Sequence, residues 1–340
     1  MGSYNVVILK DISKLDVTYI PGKILCREKE IGLLKLYMKS GRAIISGGVG
    51  TGKTLLAKHY GGDAYINCYM NRTEHRVVED IVKQLKPNFH TAGMTTQALW
   101  NEIEEGRMII LDEIDGMIPD ELRHFAYTLS RMKEKGKEIN YIAITRSANI
   151  LRQIIGDDAI WSTFADKAIV WLHNYEWEEI MKILDYRAGE ALRKDAYNED
   201  ILSMIADIAI NSPGHMRTAI DVLRNAALIA ENEGCEEIKA EHVRMANEEG
   251  WLSDVESLEG NEAIVLLSVA VACREKGYAS LEEIKEVAKA KEEEHGIKIK
   301  NFDELMERLI KEDFVYKGKK GYTILNYPCN EIIKIIEKEK

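Results

Sequence analysis

The stretch that most constrains the fold is GGVGTGKT, residues 47–54, which lies between the apolar run AIIS and the helical pattern LLAKHY. A glycine-rich turn that joins a strand to a helix lets backbone N–H groups converge on a phosphate at the helix N-terminus. The full pattern in this context predicts a phosphate-binding loop, or Walker A motif. It therefore also predicts a parallel α/β sheet that holds a ligand at its carboxyl edge.

The positions of this loop have separate expected roles. The glycines allow the tight turn, the Lys53 ammonium reaches the β- and γ-phosphates, and the Thr54 hydroxyl ligates Mg²⁺. The residues predicted to contact the cofactor are Gly47, Gly48, Val49, Gly50, Thr51, Gly52, Lys53, Thr54 and Leu55. The expected cofactors are ATP or ADP together with Mg²⁺.

A second motif, MIILDEID at residues 108–115, is a short apolar strand that ends in carboxylates. Following a phosphate-binding loop, this pattern predicts a Walker B strand. Asp112 is expected to hold Mg²⁺, and Glu113 to orient and deprotonate a water molecule. The candidate catalytic residues are thus Lys53, Asp112 and Glu113, and the acidic pair favours hydrolysis over phosphoryl transfer to a substrate.

Two further segments select a branch of the P-loop proteins. KEINYIAIT, residues 137–145, predicts a strand between the two motif strands. NSPGHMRTAIDVLRNAALIAE, residues 211–231, predicts an amphipathic helix that starts after a Ser-Pro-Gly break. Arg217 lies in the first turn of this helix, where it could sense the γ-phosphate. An ordinary surface arginine on a lid helix is the alternative.

With these motifs the chain resembles the AAA+ ATPases. Within them it is similar to the archaeal replication initiators related to the largest subunit of the eukaryotic origin recognition complex and to its helicase-loading relative. YIPGKILCREKEIGLLKLYM, residues 19–38, resembles the family segment that packs over the adenine, which makes Arg27 a candidate nucleotide contact. The resemblance also places Arg217 at the sensor-2 arginine, and IKAEHVRMANEE, residues 238–249, at the helix that closes the lid.

The chain departs from that family in the residues that assist hydrolysis. Thr145 and Arg146 stand where the family usually has the sensor-1 asparagine. GDDAIWSTFADKAIV, residues 156–170, holds no arginine where the family has an arginine finger. Because a finger supplied in trans accelerates hydrolysis by orders of magnitude, these differences predict slow turnover or activation by another protein.

From about residue 256 the pattern changes. Three helical patterns, EAIVLLSVAVACREKGY, SLEEIKEVAKAKEEEHG and KNFDELMERLIKEDF, precede the hairpin pattern VYKGKKGYTIL. This order is typical of a winged helix, whose third helix enters the DNA major groove. The predicted organisation is an α/β AAA+ P-loop domain with a parallel-sheet αβα core (1–172), an all-α lid (173–250) and a C-terminal winged-helix domain (251–340).

The charge distribution limits where DNA could bind. The chain has a formal net charge of −11, and residues 251–340 hold 15 basic and 19 acidic side chains, so any DNA contact must be local. The candidate contacts are Lys298, Lys300, Asn301, Lys317, Lys319 and Lys320 in the winged helix and Arg131 after the Walker B strand. The alternatives are a winged helix that binds protein, since Asp303, Glu304 and Glu307 would repel DNA, and a solvated helix around Arg131.

Together with the motifs, the resemblance implies an ATP-binding, initiator-like protein that binds origin DNA and recruits the ring-shaped replicative helicase, with slow hydrolysis as a switch. Two alternatives stay open: a mobile-element or plasmid regulator built on the same body, and an ADP-bound protein-interaction scaffold. A cytoplasmic protein without membrane contact is expected, because no export signal and no apolar run of about 18 residues is present. Five cysteines without a C-x-x-C pair fit a reducing compartment.

Overall fold

The structure is a computed structural model that describes residues 8–134, 136–165, 167–248 and 252–338. The chain divides into two compact units, Ile20–Tyr175 and, together, Met1–Tyr19 with Glu176–Lys340. Of the helices within the described residues, none is long and apolar enough to cross a membrane.

A five-stranded parallel sheet forms the centre of the first unit. Its strands are β1 (Arg42–Gly47), β2 (Ala64–Asn67), β3 (Met108–Asp112), β4 (Asn140–Thr145) and β5 (Ile169–Leu172). Their order in the sheet is β2-β3-β4-β1-β5, which confirms the predicted position of β4 between the two motif strands. Because all pairs are parallel and in register, the carboxyl ends of β1 and β3 meet at one edge of the sheet.

Helices cover both faces of this sheet. They are α1 (Glu28–Tyr37), α2 (Lys53–Tyr60), α3 (Glu74–Leu85), α4 (Thr96–Glu102), α5 (Pro119–Glu134), α6 (Ala148–Ile155) and α7 (Asp158–Phe164). Alternate residues of the central strands pack into two separate cores, with Ile44 on one face and Ala43 and Ile45 on the other. Continuous burial along β1 and β4 follows from this coverage. The predicted αβα architecture is confirmed.

The second unit begins with a helical lid. Its helices are α8 (Trp177–Ala191), α9 (Glu199–Asn211), α10 (Met216–Asn232) and α11 (Ala240–Ala246). Residues 8–19 pack on these helices, although they fall within the domain predicted for residues 1–172. The Lys10 N–H donates to the Ala191 carbonyl at 2.8 Å, and the buried Arg187 guanidinium donates to the Asp16 carbonyl at 3.1 Å. The division into three domains stays a prediction.

The C-terminal module follows the predicted order of three helices and a hairpin. It contains α12 (Leu252–Glu256), α13 (Gly260–Cys273), α14 (Leu281–His295), α15 (Phe302–Lys311), β6 (Tyr316–Gly318), β7 (Gly321–Thr323) and α16 (Cys329–Lys338). A capping box between Ser280 and Glu283 starts α14. The sequence patterns did not predict α16, which packs its apolar face on the core of the module.

Buried polar groups join the lid to the C-terminal module. Arg244 of α11 is completely buried and donates to the carbonyls of Ile324 at 2.9 Å and Lys276 at 3.2 Å. Glu241, one turn earlier, accepts from the Asn330 N–H at 2.9 Å in the first turn of α16. Since removing one partner would leave a buried charge unpaired, these contacts hold the lid and the module in one arrangement.

Candidate functional site

The glycine-rich loop has the backbone that phosphate binding requires. Helix α2 begins at Lys53, directly after Gly52, which has a φ of 89°. Gly50 also has a positive φ, at 75°, and only glycine adopts this region without steric cost. A Cβ on Gly47 would lie 2.5 Å from the Leu172 carbonyl oxygen, so the loop passes too close to β5 for a larger residue.

The polar groups of the two motifs meet at the carboxyl edge of the sheet. The Thr54 hydroxyl donates to Asp112 Oδ2 at 2.8 Å, and Asp112 is 3 % exposed. The Lys53 Nζ donates to the carbonyls of Gly47 at 2.7 Å and Gly48 at 2.6 Å. The structure therefore brings together the three residues that the sequence assigned to the phosphates and the cation.

Glu113 occupies the position after Asp112 in an unusual backbone conformation. Its φ of 52° and ψ of 45° place a non-glycine residue in the left-handed region, where strain is often associated with function. Its N–H donates to Asp112 Oδ1 at 2.9 Å. The two adjacent carboxylates have different side-chain partners, Thr54 for Asp112 and Asn67 for Glu113.

Two polar side chains of β2 complete this edge, and neither was predicted from the sequence. Asn67 Nδ2 donates to Glu113 Oε2 at 3.1 Å, and the Tyr65 hydroxyl donates to Asp112 Oδ2 at 2.6 Å. Their alternation with buried Ala64 and Ile66 puts both on the same side of the strand. That alternation was the one available signal, although it does not by itself say which strand lies alongside.

Arg27 packs against the phosphate-binding loop. It is 4 % exposed and donates to the carbonyls of His173 at 2.7 Å and Thr51 at 3.3 Å. Its guanidinium carbon stacks 3.7 Å from the centre of the Tyr175 ring. These contacts brace the phosphate-binding loop against the segment after β5, and a direct contact between Arg27 and nucleotide stays a prediction.

The segment after β4 has its own polar arrangement in place of a sensor-1 asparagine. Thr145 is buried, and its hydroxyl oxygen accepts from the Ser147 N–H at 3.2 Å. The Arg146 N–H donates to Asp115 Oδ2 at 3.4 Å, and Asn149 is exposed on α6. Thr145 thus closes the turn locally.

Arg217 lies in the first turn of α10, as predicted, and is exposed. The turn before the helix is closed by a hydrogen bond between the Ser212 and Thr218 hydroxyls at 2.7 Å. A cation in the first turn opposes the helix dipole, so this position does not stabilise the helix. The sensor role of Arg217 stays a prediction.

Two of the predicted DNA contacts, Lys298 and Lys300, precede α15, and Lys317 lies on β6. Lys298, Lys300 and Lys317 are exposed. Asn301 is the N-cap residue of α15, but it has a φ of 57° and its amide donates to Glu304 Oε2 at 2.8 Å instead of capping a backbone N–H. Their contact with DNA stays a prediction.

The other two hairpin lysines face the lid. Lys319 pairs with Glu178, and its Nζ lies 4.4 Å from the centre of the Trp177 ring. Lys320 Nζ lies 2.7 Å from Asp200 Oδ1 and 3.1 Å from Glu199 Oε1. We call the hairpin of residues 316–323 the wing, and Glu178, Glu199 and Asp200 the lid acids.

A buried carboxylate lies next to the contact between the wing and the lid. Asp207 of α9 is 2 % exposed and accepts from Trp177 Nε1 at 2.8 Å and the Tyr278 hydroxyl at 2.6 Å. Burial raises the pKa of Asp207, and the two donors act against that shift. A Cβ on Gly318 would lie 2.5 Å from Asp207 Oδ2, so the wing backbone packs directly against this group.

Arg131, the remaining DNA candidate, is an exposed residue of α5 with its guanidinium carbon 5.2 Å from the centre of the Tyr127 ring. Two other basic groups of this helix are paired: Arg123 contacts Asp120 at 2.8 Å, and His124 contacts the buried Glu74. A DNA contact by α5 stays a prediction.

Within the described residues, one group of side chains has the composition of a metal site: Glu233, Cys235 and His242. The Lys239 N–H donates to His242 Nδ1 at 3.0 Å, so Nδ1 is an acceptor. Burial lowers the pKa of His242, and the neutral ring then carries its proton on Nε2, which lies 3.1 Å from Glu233 Oε2. Both ring nitrogens of His242 are thus engaged in hydrogen bonds, so in this structure the group is a hydrogen-bonded pair beside the Cys235 thiol.

Comparison with known proteins agrees with this geometry. Residues 43–158 match the family described as "ATPase family associated with various cellular activities (AAA)", and residues 181–248 match "Cdc6 AAA+ ATPase-type lid domain". The ORC1-type DNA replication protein 1 of Sulfurisphaera tokodaii is 28% identical over 289 residues, covering 76% of this chain and 72% of that protein.

Two solved structures resemble the chain over nearly its whole length. The crystal structure of Cdc6p from Pyrobaculum aerophilum has a TM-score of 0.83 at 23% identity and covers 98% of this chain and 100% of that one. The Aeropyrum pernix ORC1 protein in complex with DNA has a TM-score of 0.60 at 21% identity, with 98% and 97% covered. At these identities the likeness concerns the fold.

The parallel sheet, the phosphate-binding loop bonded to the Walker B aspartate and the helical lid define a nucleotide-binding AAA+ protein. The match to the lid family and the curated relatives indicate which group of AAA+ proteins the chain resembles. The lid model and the curated relatives, which are up to 28% identical, all point to the archaeal Orc1/Cdc6 family.

Proposed function

We propose that this protein is a replication initiator, which binds ATP or ADP with Mg²⁺, binds origin DNA and helps to recruit the ring-shaped replicative helicase in the cytoplasm. The observation that carries the nucleotide part is the hydrogen bond between Thr54 and Asp112, which joins the two motifs at one edge of the sheet. Support for the DNA part comes from the relatives named as ORC1-type DNA replication proteins and the similar structure solved in complex with DNA.

The residues at this edge fit a divalent cation. A hydroxyl and a carboxylate are the hard oxygen ligands that Mg²⁺ prefers, and Thr54 and Asp112 present them 2.8 Å apart. When bound, the cation would neutralise phosphate charge and orient the terminal phosphate. Lys53 would then exchange its bonds to the loop carbonyls for bonds to the phosphate oxygens.

Glu113 is the residue we assign to activating water. It is the carboxylate next to the cation ligand, and Asn67 holds one of its oxygens by a hydrogen bond. This amide donor occupies one carboxylate oxygen and so withholds it from a water molecule. Together with the missing arginine finger, this contact favours slow hydrolysis, which suits a switch between an ATP state and an ADP state.

Replacing Lys53 with alanine tests the nucleotide site. Hydrogen bonds to charged groups contribute about 1.5–3 kcal/mol, so the affinity for fluorescently labelled ADP should fall by about tenfold to a hundredfold. Fluorescence anisotropy measures it, and Lys35→Ala on the exposed face of α1 is the control. An unchanged affinity in Lys53→Ala would contradict the site.

For DNA binding, the wing offers one lysine without a lid partner among the described residues and two lysines that are paired with the lid acids. Lys317 is exposed, while Lys319 and Lys320 are paired with the lid acids. We propose that DNA phosphates and the lid acids compete for Lys319 and Lys320, because both are anions that bind the same ammonium groups. In the arrangement described, the exposed lysines at residues 298, 300 and 317 would make the first contact.

This competition predicts that neutralising the lid acids strengthens DNA binding. In the triple variant Glu178→Gln, Glu199→Gln and Asp200→Asn, the lysines are released without a change of shape. Because exposed ion pairs contribute about 0.2–1 kcal/mol each, affinity for duplex DNA should rise about threefold to tenfold. Anisotropy with a labelled duplex at fixed salt measures the change.

The matched control for that experiment removes the same charge elsewhere on the lid. Glu236, Glu237 and Glu248 are exposed lid residues, and their triple glutamine variant has the same net charge. An equal gain in both triple variants would mean that only net charge matters, and the competition would be rejected.

A further inference from the structure

We propose that Tyr65 is a positioning residue for the cation-binding aspartate, Asp112. Its hydroxyl holds that carboxylate in the orientation that Mg²⁺ and nucleotide require. This role rests on the proposed nucleotide function and adds a residue that neither Walker motif contains.

The sheet places Tyr65 for this contact. Strand β2 pairs with β3 in a parallel register that aligns Asn67 with Asp112 and Tyr65 with Ile110. Tyr65 therefore lies two residues before the partner of Asp112 on the neighbouring strand, and its long side chain reaches forward to the end of β3. Its hydroxyl lies 2.6 Å from Asp112 Oδ2, a distance typical of a strong bond to a charged acceptor.

The carboxylate is held by three donors of different kinds. Oδ2 accepts from the hydroxyls of Tyr65 at 2.6 Å and Thr54 at 2.8 Å, and Oδ1 accepts from the Glu113 N–H at 2.9 Å. An ionised carboxylate offers about four lone-pair directions. One direction on Oδ1 thus stays available for the cation or one of its water ligands.

Tyr65 is itself fixed in place. The Gln84 side chain bonds both backbone groups of this residue, accepting from the Tyr65 N–H and donating to its carbonyl, each at 2.9 Å. The Lys58 ammonium lies 4.1 Å from the centre of the ring. The hydroxyl is the donor in its bond to Asp112, because an ionised carboxylate only accepts hydrogen bonds.

Loss of the Tyr65 hydroxyl should weaken binding of the cation and leave cation-free binding of ADP unchanged. A residue that orients a metal ligand through a hydrogen bond contributes about 10- to 100-fold in metal affinity. Tyr65→Phe keeps the ring and its packing but loses the donor, so the Asp112 carboxylate can rotate about its side-chain torsions. Binding of ADP without a cation, which depends on the loop and Lys53, should not change.

The experiment measures binding of labelled ADP over a range of Mg²⁺ concentrations and, separately, in EDTA. For Tyr65→Phe we expect the Mg²⁺ concentration at half-maximal effect to rise about tenfold or more, with the affinity in EDTA within twofold of the wild type. Tyr60→Phe, an exposed tyrosine at the end of α2, is the matched control. Thermal unfolding of each variant checks that the fold is retained.

Two results would overturn this role. One is an unchanged Mg²⁺ dependence, and the other is an equal loss of affinity in EDTA and in Mg²⁺, which would indicate damage to the whole loop. Failure of the proposed function looks different: the wild type itself would bind no labelled ADP under either condition, and the role of Tyr65 would fall with it.

Discussion

Replacing Glu113 with glutamine is expected to lower the rate of ATP hydrolysis by about 10²- to 10⁴-fold, the range typical for loss of a general base. Glutamine has the same shape and can keep a hydrogen bond to Asn67, which lies 3.1 Å from Glu113 Oε2. It cannot accept a proton from water. Nucleotide affinity should stay within about threefold of the wild type, because Glu113 lies next to the cation ligand and is not one itself.

The measurement is phosphate release in a single turnover, with protein in excess of labelled ATP, so that slow product release does not hide the chemical step. Asp115→Asn is the control, since Asp115 follows in the same turn and accepts from the Arg146 N–H at 3.4 Å. A Glu113→Gln variant that hydrolyses ATP at the wild-type rate would remove Glu113 from the mechanism.

Replacing Lys298, Lys300 and Lys317 with alanine is expected to lower affinity for duplex DNA by about a hundredfold at ~0.1 M salt, given that each phosphate contact releases about 0.9 counterion. All three are exposed in the C-terminal module, two before α15 and one on the wing. The slope of log affinity against log salt should become shallower by up to about three.

The control for the DNA contact removes three lysines from other helices of the same module. Lys289 of α14 and Lys334 and Lys338 of α16 give a variant of equal net charge. Binding curves for both variants over a salt series separate a local contact from a general charge effect. Equal losses in the two variants, or no loss in either, would contradict the assigned face.

The nucleotide site could be predicted from the sequence because its signals are local. In GGVGTGKT the strand, turn and helix are contiguous, and the glycines at positions 50 and 52 do adopt the positive φ values that such a turn needs. The acidic end of MIILDEID likewise depends on a few neighbouring residues. The parallel order of strands then follows from the fold class that the loop defines.

The contacts that could not be predicted from the sequence join residues that are far apart in the chain. Tyr65 and Asp112 are 47 residues apart and meet only because β2 pairs with β3. Lys320 and Asp200 are 120 residues apart and meet because the C-terminal module packs on the lid. The cluster of lysines in the hairpin could mark Lys319 and Lys320 as candidate DNA contacts. It could not show that the lid acids lie beside them.

Whether nucleotide controls origin binding is best tested by an anisotropy titration of the wild-type protein against duplexes with archaeal origin sequences and with random sequences. It is run with ATP, with ADP and without nucleotide over a salt series. We expect steeply salt-dependent binding that prefers origin DNA and differs between the nucleotide states. Absence of binding at low salt, or equal affinity for all duplexes and nucleotide states, would contradict a nucleotide-controlled initiator.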